Sequence, residues 1–407
     1  MPYPIVDATK LFSNPDFGRT WAIGALTGVA RWLEFVALAI FAYELTRSPQ
    51  LVALLAVLRM LPYVALGMIV GGLADALDRR GLLDGSLLIM IVVSGVMAIL
   101  SAAGLVGYTA VAIATLFSGA FWTVDMPARR RLMVDAVGPA RMSAALGFDN
   151  STMHATRALG PLFGGLIYEF VGIAGIYLLV TIGYAACLLL SRRISRGPGS
   201  SAVTSGQPFS LRQLLPPATL LKDPRIQIAM GVTLVYNLFC FPFSTMVPVI
   251  AQNDFDLPHA LVGAITACDG LGGMLGALVV GAVVREGTLF RFYFFGTLAY
   301  LVIIGLLSLH LTVLSAVPAL LLIGVASAAF SATQYALIHV LSPPEMRGRA
   351  TGLLSIFIGT SLVGHYHAGF LFERLGSVVA MQVMAAEGLA IILLLGFAWW
   401  RLVLRGR

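Results

Sequence analysis

Apolar residues follow one another along this chain in long runs, interrupted by short polar stretches. A helix that crosses the hydrocarbon core of a bilayer needs about 20 mainly apolar residues. Twelve runs of that order can be read, at about 20–44, 50–74, 84–104, 107–127, 142–168, 172–191, 226–251, 259–284, 291–310, 313–339, 349–373 and 378–400. The pattern predicts an all-α membrane protein of twelve transmembrane helices, most of them joined by connections too short to fold by themselves.

One connection differs. Residues 192–225 carry Arg192, Arg193 and Arg196, then Gly197, Pro198, Gly199, Ser200 and Ser201, then Pro216 and Pro217. This is a basic linker rich in Gly, Ser and Pro. It divides the chain into one six-helix bundle over 1–191 and a second over 226–407. Lys and Arg give the orientation, because they gather on the cytoplasmic side of membrane helices. With the N-terminus inside, 21 of the 26 Lys and Arg residues fall in the tails, the linker and alternate loops on that side. Arg47 and Arg374 lie on the other side, and Arg31, Arg59 and Arg157 lie within runs. One missed helix would invert every later loop, so the asymmetry supports both the number twelve and cytoplasmic termini. The halves also echo one another. Laying Gly71 over Gly281 sets Arg59 opposite Asp269, and laying Pro139 over Pro344 sets Gly147 on Gly352 and Gly164 on Gly369. Repeated six-helix halves imply two pseudo-symmetric bundles with a solute site between them near the membrane midplane.

Composition agrees with this reading. The chain is 59% hydrophobic and only 11% charged, against about 25% charged residues in a soluble domain. A net charge of +7 would suggest nucleic acid in a soluble protein; here it reflects loop topology, and the expected partner is the lipid bilayer. The three cysteines, Cys187, Cys240 and Cys268, sit in apolar runs without zinc or redox spacing. The first run carries Arg31 and Glu34, unlike the apolar core of a cleavable signal. An enzyme would need a nucleophile–base pair or an intramembrane H-E-x-x-H, and an ATP-driven pump a phosphate-binding loop. None of these is present, so neither an enzyme nor a cofactor is expected.

Ionisable residues inside a membrane are costly and mark functional positions. Arg31 and Glu34 lie three apart and share a helical face, and Arg59 on the next helix is a third member. Glu34 is the candidate for alternately holding a proton or a substrate charge, its proton affinity falling beside an arginine and rising without one; a static ion pair orienting the first helix is the alternative. Asp269 in the eighth run is the second candidate. Asp149 and Arg157 are eight residues apart, so each reaches a neighbouring helix rather than the other. In the seventh run Pro242 predicts a kink and Asn237 offers a polar contact, among aromatics that either line a cavity or face lipid. In the eleventh run His365 and His367 invite a metal site together with Cys240. Residues two apart on a helix point about 200° apart, so only one imidazole can face a given ion, and no metal site is expected.

The second loop reads Gly71-Gly72-Leu73-Ala74-Asp75-Ala76-Leu77-Asp78-Arg79-Arg80. It resembles the signature G-x-L-x-D-R-x-G-R-R/K of the major facilitator superfamily, with Ala76 and Asp78 in place of the usual Arg and Gly. Gly147, Thr156 and Gly160-Pro161-Leu162-Phe163-Gly164-Gly165 resemble the antiporter signature G-x8-G-x3-G-P-x2-G-G, Thr156 replacing the middle glycine. Pro343 to Arg349 resembles the loop between the tenth and eleventh helices of that superfamily. The Asp-Arg-Arg ending is similar to the enterobactin-exporter-like group of drug:proton antiporters, whereas the arginine usual in the fourth helix of many such antiporters is absent.

The resemblance implies the major facilitator fold and a monomeric secondary transporter of the bacterial inner membrane. Its implied function is export of small amphipathic or hydrophobic molecules by proton antiport with alternating access. Siderophore, lipid or transition-metal export are variants on the same fold, the last as in ferroportins, which use a Cys on helix 7 and a His on helix 11. It also implies a gate. Asp75 meets the positive N-terminal end of helix 11, here near Gly348 to Gly352, and Arg79, Arg80 and the run Arg129 to Arg131 complete a charge network, although for that run the expected role is simply to hold a loop on the cytoplasmic side. Gly71, Gly160, Gly164 and Gly165 let helix backbones approach and slide, and Pro161 permits a kink; plain helix packing would use the same residues.

Overall fold

Lipid offers no partner to a backbone N–H or C=O, so an apolar run must close its hydrogen bonds within itself as a helix. The computed structural model describes residues 11–76, 78–138, 141–195, 220 and 222–405, and among these all regular structure is helical. The first half consists of α1 (Pro15–Thr46), α2 (Pro49–Ala76), α3 (Arg79–Ala102), α4 (Tyr108–Val137) and α5 (Met142–Ser191). The second half consists of α6 (Pro224–Val235), α7 (Phe241–Asn253), α8 (His259–Val283), α9 (Leu289–Leu309), α10 (Val313–Leu341), α11 (Arg347–Gly359) and α12 (Ser361–Arg405). Among the described residues nine helices are long and apolar enough to cross a membrane, and Pro49–Ala65 is a shorter apolar helix. Two of the nine, at 48 and 59 residues, exceed the length of one crossing.

Both long helices break at one glycine. Gly172 inside α5 has φ 60°, ψ −168°, and Gly376 inside α12 has φ 73°, ψ 169°. A side chain is not tolerated in that region of backbone space, so glycine alone turns the chain there. The two apolar runs read on either side of each glycine are therefore joined with no intervening loop. Dihedral angles at Pro161 stay helical, and the break in α5 comes at Gly172 instead.

The seventh run is interrupted as its proline suggests. Between α6 and α7 lies one π-helical turn, Tyr236–Cys240, and Pro242 stands in the first turn of α7. Proline supplies no N–H to the helical ladder, and the wider turn before it absorbs the mismatch. At the fourth run the structure departs from the hydropathy pattern, which ends near 127. The helix α4 continues through Pro127 to Val137, so Arg129 to Arg131 are helical residues rather than loop residues.

The chain forms two compact units, Met1–Leu45 with Leu58–Gln207, and Thr46–Val57 with Pro208–Arg407. The start of α2 thus belongs with the second unit. There the Ser48 hydroxyl donates to Glu373 Oε2 at 2.8 Å and the Gln50 N–H donates to the same oxygen at 3.3 Å, so Glu373 caps the beginning of α2.

Each unit has its own closely packed helices, and one glycine contact recurs in both. In the first, α3 packs on α4 and α5; in the second, α10 packs on α8 and α9. A Cβ at Gly119 of α4 would collide with the backbone carbonyl of Arg59 on α2, and a Cβ at Gly324 of α10 would collide with that of Asp269 on α8. Arg59 and Asp269 are the pair that the sequence repeat sets opposite each other. Small residues at matching places let the two helices of each pair approach to backbone contact.

Candidate functional site

Four helical stretches bring polar side chains into the interior of the first unit. Thr27, Arg31 and Glu34 follow one another at spacings of four and three along α1, a single helical face. Ser118, Trp122, Asp125 and Arg129 form a similar stripe on α4. Arg59 comes from α2, and Tyr177 and Tyr184, seven apart, come from the second part of α5. Thr27, Arg31, Arg59, Ser118, Phe121, Trp122 and Tyr184 line a small interior pocket.

Arginines, hydroxyls and rings line this pocket, and the carboxylate of Glu34 bonds to one of its lining residues. Glu34 is 2% exposed and accepts a hydrogen bond from the Ser118 hydroxyl at 3.1 Å. The charges of Arg59 and Arg31 both act on it. Arg31 stacks on Trp122, its guanidinium carbon 4.3 Å from the ring centroid, and Arg59 lies 5.8 Å from that of Phe35. A cation over an aromatic face is held by the ring quadrupole, so both arginines stay positioned without a carboxylate in direct contact. The Trp122 Nε1 and Tyr177 Oη atoms are buried without a hydrogen-bond partner among the described residues.

Beside this cavity the same helices carry a second charged group. Asp149 near the start of α5 pairs with Arg129, and with Arg130 Nε at 2.9 Å. Asp125 faces Arg129 Nε at 3.8 Å. Arg129 is 5% exposed. The arginine run after the fourth apolar stretch is thus partly an interior feature, because Asp149 draws Arg129 and Arg130 back onto the bundle. A Cβ at Gly24 of α1 would collide with the Arg129 guanidinium, so the absence of a side chain there makes its seat.

Glycines of the antiporter-like motif pack within this unit. A Cβ at Gly160 would collide with Trp32, and one at Gly164 would come within 3.4 Å of the Leu33 backbone. Thr156 fills the space over Gly28. The motif therefore seats α5 on the face of α1 that carries Trp32 and Leu33. Gly165 and Pro161 are buried. Arg80 donates to the carbonyls of Ile194 at 2.7 Å and Arg192 at 2.6 Å, closing the end of α5. The side-chain surroundings of Gly71, Asp75 and Arg79 lie outside the described residues, as does most of the linker.

In the second unit the candidate residues are placed apart. Asn237, in the π turn, donates from Nδ2 to the Thr233 carbonyl at 2.9 Å. Asp269 is buried on α8. His365 donates from Nδ1 to the Ser361 carbonyl at 2.6 Å, and His367 Nε2 meets Glu387 Oε2 at 2.8 Å. The Cys240 thiol is directed at the Thr297 carbonyl, 4.0 Å away. Among the described residues no group of three or more His, Cys, Asp or Glu side chains is arranged to hold a metal ion.

The family model of the Major Facilitator Superfamily matches residues 20–363. The chain belongs to the Major Facilitator Superfamily. Membership makes it a multi-pass membrane transporter rather than an enzyme. Among curated relatives, the enterobactin exporter of Salmonella typhimurium is 26% identical over 403 residues, 96% of this chain and 94% of that one. The enterobactin exporter of Shigella boydii is 24% identical over 398 residues, 96% and 92% of the two chains. The staphyloferrin A transporter of Staphylococcus aureus is 20% identical over 302 residues, 72% and 71%. Among solved structures, a mutant of the nucleoside transporter NupG superposes with TM-score 0.79 at 11% identity, covering 94% of this chain and 99% of that one. An inward-facing bacterial homologue of the iron transporter ferroportin gives 0.69 at 16% identity, covering 97% and 99%. These two likenesses show the shared fold.

Proposed function

We propose that this facilitator is a proton-coupled exporter of small amphipathic molecules, with siderophores the first class to test. In this reading it works by alternating access as a monomer of the bacterial inner membrane, with twelve spans and both termini in the cytoplasm. The span count follows if the segments broken at Gly172 and Gly376 each cross twice and α2 crosses once. The bundles are 1–191 and 226–407 with the basic linker between them. Asp75, Arg79, Gly71 and the glycines of α5 serve the gate.

The observation that supports the proposal is the buried Glu34, bonded to Ser118 and under the charges of Arg59 and Arg31, next to a small pocket that those three residues line. A carboxylate that must stay dry needs either a proton or an arginine, and a small shift of α1 against α2 exchanges one for the other. Two curated relatives that span more than nine-tenths of the chain are enterobactin exporters, which supports the siderophore class. Metal export, suggested by the ferroportin-like fold, has less support because Cys240, His365 and His367 are turned to separate partners.

The test is accumulation in everted membrane vesicles from cells lacking their own pumps, using ethidium and apo-enterobactin as probes. Wild type should accumulate at least one probe, and a protonophore should abolish that accumulation. Glu34→Gln should remove the dependence on the proton gradient while leaving the protein in the membrane. Accumulation in Glu34→Gln that is still driven by the gradient moves the coupling role to Asp269.

A further inference from the structure

Among the described residues Asp125 is the most deeply buried acid of the first unit, at 0% exposure, and neither of its oxygens accepts a hydrogen bond from them. Its nearest cation, Arg129 Nε, is 3.8 Å away, beyond hydrogen-bond reach. The other end of that guanidinium is committed to Asp149, which also holds Arg130. Two acids and two arginines thus share out unevenly: Asp149 holds both cations at hydrogen-bond distance, whereas Asp125 has Arg129 only at ion-pair distance, 3.8 Å. The charged and titratable groups that face Asp125 are Arg129 on its own helix, Arg31 on α1, Asp149 at the start of α5, and Tyr184 and Cys187 near its end.

Among the described residues an ionised carboxylate in such a place has no hydrogen-bond donor to replace its lost hydration, only a guanidinium at 3.8 Å. A neutral carboxylic acid does not have that deficit. The same geometry provides for release. Arg129 already reaches toward Asp125 with Nε, an atom that has no hydrogen-bond partner among the described residues. A shift of the guanidinium from Asp149 toward Asp125 would close this gap while Arg130 stays with Asp149.

We infer that Asp125 is a proton-binding site, loaded while Arg129 rests on Asp149 and unloaded when Arg129 swings to it. In loading, one proton from water adds to one carboxylate oxygen; in release it returns to water, and no other bond changes. Arg31 lines the cavity and also feels the charge of Asp125, so the proton on Asp125 alters the charge balance of the cavity wall. This adds a second acid to the coupling proposed above, and the test below does not depend on transport.

The experiment is infrared spectroscopy of the purified full-length protein in detergent, in H₂O and D₂O, with no solute present. Wild type at neutral pH should show the carbonyl stretch of a buried, protonated carboxylic acid, shifted by deuteration. Asp125→Asn should lose that component, and Asp149→Asn and Glu34→Gln should keep it. A spectrum unchanged by Asp125→Asn overturns the inference. Thermal unfolding supplies a second criterion, since asparagine is nearly isosteric with the protonated acid. Asp125→Asn should unfold within a degree or two of wild type, while Asp149→Asn unfolds well below it. Equal destabilisation by the two variants means that Asp125 is an ordinary member of a static ion-pair network, which also overturns the inference. Wild-type vesicles that ignore the proton gradient while the infrared component is present would instead count against proton-coupled export.

Discussion

Among the described residues the first unit buries five charged side chains, Glu34, Arg59, Asp125, Arg129 and Asp149, whereas the second buries Asp269 and otherwise neutral polar groups. In the second unit the interior is organised by hydroxyls and rings. Tyr236 bonds to the Ser327 hydroxyl at 2.7 Å and stacks on Phe330 with centroids 3.7 Å apart. Tyr293 bonds to the Thr233 hydroxyl and donates to the Ala229 carbonyl at 3.0 Å. Both units nevertheless share one backbone frame, with a glycine of α4 or α10 seated on the carbonyl of Arg59 or Asp269. Frame and chemistry therefore separate. Close helix packing is met the same way twice, and the handling of charge falls mainly to one copy.

That contrast can be broken most forcefully at Arg129. Arg129→Met leaves Asp149 with Arg130 as its one remaining cation, and removing one partner of a buried ion pair costs about 3–5 kcal/mol. Denaturant unfolding in detergent should show a loss of that size. A loss below ~1 kcal/mol would mean that the charges are already relieved by water. The shared frame is sharpened by Gly119→Ala and Gly324→Ala. Each pushes a methyl group onto a backbone carbonyl that cannot swing aside, at about 1–3 kcal/mol for overpacking. Similar costs in the two units support one frame; a cost in only one unit breaks the equivalence. The smallest effect belongs to the hydroxyl-based interior. Tyr293→Phe removes one neutral hydrogen-bonding group, worth about 0.5–1.5 kcal/mol, and should shift the same unfolding curve only slightly.

Several features of the site were legible in the residues alone. Arg31, Glu34 and Arg59 stood out because ionisable groups in apolar runs are rare, and the structure gathers them. The polar stripe of Ser118, Trp122, Asp125 and Arg129 was equally present on α4, at spacings of four, three and four. Hydropathy hides it, because the apolar pattern ends that helix near 127 and places Arg129 in a loop. Only the pairing of Arg129 with Asp149, twenty residues away in sequence, shows that the helix continues and that the stripe is a wall of the interior. The glycines of the α5 motif suggested close approach, but their partners Trp32 and Leu33 could not be named from spacing. Gly172 and Gly376 gave no signal distinct from other glycines of the apolar runs.

The sequence by itself determined that the chain lives in a membrane as helices, because lipid leaves a polypeptide one local way to satisfy its backbone, and that way is written in runs of about 20 apolar residues. It also determined which residues are out of place in those runs. Which of them meet was decided only by the tertiary structure. A helix fixes the face a side chain occupies but not the helix that face will touch, and whether a buried acid finds a guanidinium, a hydroxyl or neither depends on ångström-scale distances between segments far apart in the chain. That is why Glu34 with Ser118, Arg129 with Asp149, and the isolation of Asp125 appear only once the bundle is assembled.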